Sequence, residues 1–282
     1  MLHDPRQRQA GFNTSTRSQW DTFADHRRQV STLLTSAPGG RLCILGAGNT
    51  NDLDLPTLLE GYREVHLVDL DPTALGEGVA RQGVADHPGI HLHGGLDLTA
   101  MVETIASWSP RAEVRPADLD ALANWPGNRV PLVLPGPFDH VASTCLLSQL
   151  TDTTAHALGD HHPRGTAVME AIRRGHLRLL ARLAGPVGRA TLITDIASSK
   201  CFPSLPDTPD ERLADLLPWL LRSGSHYHGL HPNQILAALR HDPSIAPHLT
   251  GLQTSSPWRW RLHSRVFLVW AVSMHMGIVQ WN

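Results

Sequence analysis

Residues 41–54, Arg-Leu-Cys-Ile-Leu-Gly-Ala-Gly-Asn-Thr-Asn-Asp-Leu-Asp, constrain this chain more than any other stretch. A short apolar run at 42–45 meets Gly46-Ala47-Gly48. A polar turn then opens an apolar-periodic segment carrying Leu53, Leu55, Leu58 and Leu59. The pattern predicts a strand, a glycine turn and a helix. Gly46 and Gly48 allow the backbone to turn tightly and to approach a ligand that a Cβ would exclude. About 20 residues further on, a second apolar run at 65–68 ends on Asp69, and an acid there suits the hydroxyls of a ribose. Together these features point to a nucleoside-containing cofactor at the carboxyl edge of a parallel sheet.

The dinucleotide fingerprint G-x-G-x-x-G wants a third glycine at position 51. This chain has Asn51 followed by Asp52. An aspartate at a helix N-terminus repels a pyrophosphate but can face the ammonium of an amino acid. The stretch therefore resembles motif I of class I S-adenosylmethionine (SAM)-dependent methyltransferases, which read G-x-G-x without the third glycine. Taken alone, the glycine pair also fits an ordinary strand-to-helix turn, so Asp69 and the later strands have to decide.

The resemblance implies further roles. Gly46, Ala47, Gly48 and Asn51 form the cofactor turn, Asp69 holds the ribose and Leu70 packs on adenine. Asp71-Pro72 reads instead as a helix cap with a first-turn proline. A third strand at 90–93 runs into Asp97 and Leu98, which resemble the adenine side of the family's site; Asp97 or Thr99 equally suits a helix cap. The fourth strand, 138–144, continues into 145–150 and resembles motif IV, which puts Ser143 and Thr144 beside the methionine moiety. Gln149 is a candidate for reaching substrate or for capping.

Around this frame the N-terminal residues 1–14 are polar and expected to be mobile. A helix is predicted over 15–34, with Trp20, Phe23, Val30, Leu33 and Leu34 close to one face. By resemblance it forms a lid on the cofactor cleft; the plainer alternative is a helix that simply covers the sheet. Trp20 and His26 are its site candidates. Residues 109–136, rich in proline and polar groups, predict a connector with one helical turn at 118–125. His156, His161 and His162 could supply a general base, because imidazole titrates near neutrality. A helix over 167–183 and a fifth strand at 190–195 follow. Residues 196–250 read as an elaborated insertion with helices around 213–220 and 232–239. Between them Tyr227, flanked by His226 and His228, is the preferred substrate wall. The chain closes with period-two alternation at 258–262 and a continuous apolar run at 266–272. By resemblance this is a final hairpin with the last strand inserted antiparallel.

Composition narrows the function classes. At 282 residues the chain accommodates one large α/β domain with additions. Net charge is close to zero, Lys200 is the only lysine and the arginines are scattered, which argues against nucleic acid. No run is long enough for a membrane span and the N-terminus lacks a signal-peptide pattern, so a cytoplasmic location is expected. Cys43, Cys145 and Cys201 have no metal-ligand or disulfide spacing, and no motif gathers the 18 histidines, so no metal site is expected.

The expected fold is α/β: a Rossmann-like, doubly wound, seven-stranded and mostly parallel sheet with an antiparallel last strand and an N-terminal helical lid. Its parts are a cap at 1–38 and a SAM-binding domain at 39–282, with the helical insertion at about 196–250. The Asn-Pro-Pro-Tyr motif of amino-methylating nucleic-acid enzymes is absent, Ser143-Thr144-Cys145-Leu146 standing in its place, and Cys145 lacks the Pro-Cys context of cytosine C5 enzymes. The resemblance therefore implies a SAM-dependent methyltransferase for a small molecule; the Ala-, Pro- and Gly-rich composition suggests a GC-rich bacterial genome, and bacterial specialised metabolism is the expected setting. A second expectation keeps SAM and changes the chemistry to aminocarboxypropyl transfer or cyclisation of SAM to azetidine-2-carboxylate. Tyr227, Trp20 and Asp52 are the residues named for catalysis, and the Asn49-x-Asn51-Asp52 turn with Trp20 and Tyr227 would serve the cyclisation. A non-catalytic SAM-binding subunit is the third. Expected partners are a small-molecule substrate or SAM alone, without nucleic acid or membrane; a homodimer is compatible with the sequence.

Overall fold

The computed structural model describes residues 4–36, 38–159 and 161–277. Helix α1 (Pro5–Thr16) starts at Asp4, whose carboxylate accepts from the Arg6 backbone N–H, with Pro5 at the first helical position. This corrects the expectation of a mobile 1–14 segment over residues 4–14; residues 1–3 lie outside the described residues. Its apolar periodicity is weak because polar contacts to the sheet edge, described below, hold the helix down. The helix predicted over 15–34 is broken by a 3₁₀ turn at Asp21–Phe23, and α2 (Ala24–Thr35) carries the apolar stripe Val30 and Leu34.

The α/β alternation then runs β1 (Arg41–Leu45), α3 (Leu55–Gly61), β2 (Glu64–Asp69), α4 (Pro72–Arg81), β3 (Ile90–Gly94), α5 (Val102–Ser107), α6 (Pro116–Arg129), β4 (His140–Thr144), α7 (Leu146–Leu158), α8 (Gly165–Ala184) and β5 (Arg189–Ser198). Helices α9 (Leu213–Ser223) and α10 (Pro232–His241) precede β6 (Leu249–Thr254), β7 (Trp258–Leu262) and β8 (Arg265–Met276).

The predicted connector differs from the sequence expectation. Within 109–136, α6 is a full helix of 14 residues rather than one turn. Pro116 sits at its start, the Asp118 carboxylate accepts from the Arg115 backbone, and Leu122 and Ala123 are buried in the core that α8 shares. Gly175 of α8 permits the close approach, since a Cβ there would lie 2.0 Å from the Leu122 carbonyl oxygen. Residues 145–150, expected as a strand-to-turn passage, turn at Cys145 and enter α7 at Leu146. Cys145 takes a left-handed conformation (φ 49°, ψ 19°) and turns the chain sharply after Thr144.

The sheet order is β3-β2-β1-β4-β5-β8-β6, with β7 also paired to β8. Strands β1 to β5 are parallel, and β8 lies antiparallel between β5 and β6. An eighth strand appears because β8 is long: β7 pairs its first half and β6 its second, so two short strands share the edge position. Alternate residues of β1 face opposite ways. Leu42 and Ile44 pack with α2, α3 and α4, whereas Cys43 and Leu45 pack with α5 to α8. Among the described residues, no helix is long and apolar enough to cross a membrane. This strand order, with its penultimate antiparallel strand, is the Rossmann-like, mostly parallel sheet expected from the sequence, with one strand more.

Candidate active site at the carboxyl edge of the sheet

The carboxyl ends of β1, β2 and β4 open into a cleft with two lobes that share Gln9, Gly46 and Gln149. The glycine turn after β1 separates them. Gly46 and Ala47 donate their N–H groups to the Val68 carbonyl, which ties the turn to the end of β2. Gly46 has φ 79°, and a Cβ on it would come within 2.8 Å of Leu146 Cβ, so both conformation and space require glycine. Gly48 (φ 45°) donates its N–H to Asp69 Oδ2 at 2.8 Å.

The first lobe has about 570 Å³ of empty volume and is mostly apolar, walled by Leu70, Leu98, Val102, Ile105, Leu146 and Leu150. Asp69 and Asp97 stand at its edge. The Asp69 carboxylate is 2% exposed; it accepts from Gly48 N and, through its other oxygen, from Asp71 N at 2.9 Å. Burial raises its pKa to about 6. The Leu70 backbone N–H also donates to this carboxylate, which has roughly four lone-pair sites, so one stays open for a ligand hydroxyl. Asp97 is engaged as a cap: one oxygen accepts from the Thr99 N–H and hydroxyl, the other from Val102 N.

The second lobe, about 380 Å³, is lined by Ala47, Gly48, Asn49, Asn51, Asp52 and Thr144, with Phe12, Phe23 and Trp260 as aromatic walls. Among the described residues it holds one unsatisfied buried acceptor, Asn51 Oδ1, and one unsatisfied buried donor, Trp260 Nε1, while Asp52 is bonded to the Thr144 side chain. Asn51 donates its Nδ2 to the Thr16 carbonyl at 2.7 Å, which leaves its buried Oδ1 without a partner. Beside it the Asp52 carboxyl is raised to about 7, first by burial and with a further contribution from Asp69. Cys145 also lines this lobe, but burial holds its thiol far above the ordinary range, as it does Cys43, so neither is a thiolate near neutral pH.

Helix α1 roofs both lobes through Gln9, with Pro5 over the first and Phe12, Asn13 and Thr16 over the second. Its last turn is tied to the glycine turn: Asn49 Nδ2 donates to the Asn13 carbonyl (2.6 Å) and to Thr16 Oγ1 (3.0 Å), and Asn13 Nδ2 donates to Asp71 Oδ2 (3.1 Å). Sequence reasoning missed this helix. The only signal was the pair of asparagines in the glycine turn, whose amides need carbonyl partners.

The remaining candidates lie elsewhere. Ser143 does not line the cleft: its hydroxyl is fully buried and bonded to His176 Nε2 at 2.8 Å on the α8 side of the sheet, because alternate strand residues face opposite ways. Trp20 sits behind the turn between two guanidiniums, with Arg27 3.5 Å and Arg81 5.3 Å from its ring centroid. Arg27 donates to the Asn51 carbonyl at 2.7 Å and Arg81 to that of Asn49, so the three side chains brace the turn from outside. Tyr227 packs near Asp195 and Ser198 at the end of β5, outside both lobes, and burial pushes its phenol up. His26 accepts from Trp258 Nε1 and stacks at 4.6 Å on Trp260, and burial lowers it to about 3. His156, His161 and His162 line neither lobe.

No family model matches the chain, and no curated protein matches it. Among solved structures it is similar to the N-methyltransferase NodS from Bradyrhizobium japonicum WM9 (13% identity, 90% of this chain and 97% of that one, TM-score 0.41). It is also similar to magnesium protoporphyrin IX methyltransferase from Synechocystis PCC 6803 with bound S-adenosylhomocysteine (14%, 89% and 84%, TM-score 0.43). A third likeness is to an rRNA methylase from Streptococcus thermophilus (11%, 88% and 95%, TM-score 0.39).

Proposed function

We propose that the cleft binds SAM and that the protein is a SAM-dependent methyltransferase for a small-molecule acceptor, serving bacterial specialised metabolism. The observation that carries this reading is the pairing of an apolar lobe edged by Asp69 with a polar lobe at Asn51 and Asp52, joined across Gly46 to Gly48. Adenine lies against Leu70, Leu98 and Leu146, and a ribose hydroxyl donates to Asp69. The α-ammonium donates to Asn51 Oδ1 and Asp52. The sulfonium methyl then faces the second lobe, whose aromatic walls Phe23 and Trp260 receive the acceptor. The sulfonium is already activated, so catalysis rests on in-line alignment and on water exclusion under α1. The 1–38 segment acts as the lid of the 39–282 domain. A nucleic-acid acceptor is disfavoured because Arg27 and Arg81 are turned onto backbone carbonyls instead of forming a basic surface. Calorimetric titration of the folded protein with SAM is the direct test: absence of binding removes the proposal.

One observation favours a second reading, cyclisation of SAM alone. A buried carboxyl with pKa about 7 stands where the α-amine would lie. Asp52 could take the ammonium proton, after which the nitrogen attacks the γ-carbon. The carbon–sulfur bond breaks, methylthioadenosine leaves and azetidine-2-carboxylate forms. Incubation with SAM alone separates the two readings: methylthioadenosine supports cyclisation, whereas S-adenosylhomocysteine appearing only with an acceptor supports methyl transfer.

A further inference from the structure

At the opposite end of β2 from the cleft, parallel pairing of β2 with β3 gathers a second group of chemically active side chains. The register places His66 beside His91, and the stacking distances to His66 are 4.4 Å for His91 and 5.3 Å for His93. Glu64, two residues before His66, is on the same sheet face, with Oε2 3.2 Å from His66 Nε2. We propose that Glu64, His66 and His91 form a binding site for a zinc-type divalent ion.

Three observations support it. Each of these residues offers one ligand atom, and all three atoms lie within 4.8 Å of one another. Tetrahedral zinc with bonds of about 2.0–2.2 Å holds its ligands roughly 3.3–3.6 Å apart, so closure needs only a side-chain adjustment. His91 Nε2 is buried without a hydrogen-bond partner, an orphan that a metal bond satisfies. The outer contacts also have the form that metal sites use. His93 Nε2 lies 3.0 Å from His66 Nδ1, so His66 can donate there and present an unprotonated Nε2 to the ion. Arg41 Nε donates to Glu64 Oε2 at 2.8 Å and fixes the carboxylate. Two imidazoles and one carboxylate suit zinc, cobalt or nickel and not magnesium or calcium, which want oxygen-rich shells. The Arg41 and Arg63 guanidiniums, each bonded to one Glu64 oxygen, oppose the incoming dication, so the imidazole bonds must dominate the affinity.

The test uses Co²⁺ with the full chain, because its visible absorption reports coordination directly. Expected are one tight equivalent with the intense bands of a four- or five-coordinate ion, bleached on adding Zn²⁺. His91→Asn and Glu64→Gln should each abolish the bands while leaving the metal-free thermal transition in place. His93→Ala should weaken binding by roughly 10- to 100-fold. His241→Ala, at an exposed histidine of α10, should change nothing. Absence of the bands from the wild-type chain, or bands that persist in both His91→Asn and Glu64→Gln, would overturn the site. Because no step involves SAM, its outcome is independent of the cofactor reading.

Discussion

The two lobes of the cleft are built from the same turn yet differ in how they would select a ligand. In the first, the charged groups already have internal partners: Asp69 accepts from Gly48 and Asp71, Asp97 from Thr99 and Val102, and the walls are leucine and isoleucine. In the second, Asn51 Oδ1 has no partner and the Asp52 carboxyl is deeply buried. A lobe with satisfied polar groups selects by shape and apolar area, adding ligand bonds only through spare lone pairs. A lobe with an unsatisfied buried acceptor beside a buried carboxyl selects for a donor, because a buried orphan costs free energy until a donor reaches it. On the proposed reading, one strand–turn–helix unit would separate recognition of a flat apolar ring from recognition of a cation, within a few residues.

The largest effect should come from the hinge common to both lobes. Gly46→Ala forces a Cβ into a left-handed residue and against Leu146, with a combined cost of about 2–5 kcal/mol. A lowered melting temperature and loss of S-adenosylhomocysteine binding are expected; an undisturbed protein that still binds would show that the turn is not the hinge. Next, Asp69→Ala should weaken S-adenosylhomocysteine and methylthioadenosine alike, by roughly 100-fold, since both carry the ribose and a hydrogen bond to a charged group contributes about 1.5–3 kcal/mol. Asp52→Asn should weaken S-adenosylhomocysteine by roughly tenfold and leave methylthioadenosine, which lacks the amino acid, unchanged. Equal losses of both ligands in Asp52→Asn would erase the distinction between the lobes.

Much of this architecture is legible in the sequence, for physical reasons that also mark where legibility stops. The parallel core and the terminal hairpin show through continuous apolar runs, since strands buried on both faces need them. The glycine turn and Asp69 are readable because backbone geometry dictates residue type there. Helix α1 was not, because polar bonds from Asn49 and Asn51 hold it in place of an apolar stripe. The edge strand β6 escaped notice because its Leu249–Thr254 sequence is short, half-exposed and broken by Gly251. Ser143 and Thr144 are adjacent in sequence, but a strand sends one to His176 and the other to the cleft. The Glu64, His66 and His91 group has no recognisable spacing, since it comes from the register between β2 and β3. Tyr227 stood out by its histidine neighbours, yet local density of polar aromatics does not report distance from a cleft.

The smallest expected effect is in pH dependence, where the lobes should again part. Ligand-free Asp52 has a pKa near 7, raised mainly by burial, and a bound ammonium favours its ionised form. Binding below pH 7 therefore releases a proton, so S-adenosylhomocysteine affinity should rise with pH and level off above about 7. Between pH 7 and 6 the ionised fraction falls roughly fivefold, and affinity with it. Methylthioadenosine should not share this dependence, feeling only Asp69, which titrates near 6. Stability of the free protein runs the other way. A carboxyl raised from 3.8 to about 7 on folding gives stability that is complete below about pH 4 and lost as pH rises through 7. His26 and His176, lowered by burial to about 3 and 4, act oppositely, so the absolute melting curve mixes the two trends. The difference between wild type and Asp52→Asn removes the histidines from the comparison. Relative to the variant, the wild-type melting temperature should fall from pH 4 to pH 7 while its S-adenosylhomocysteine affinity rises. Parallel pH profiles for the two proteins would mean that Asp52 is not the charged reader of the second lobe.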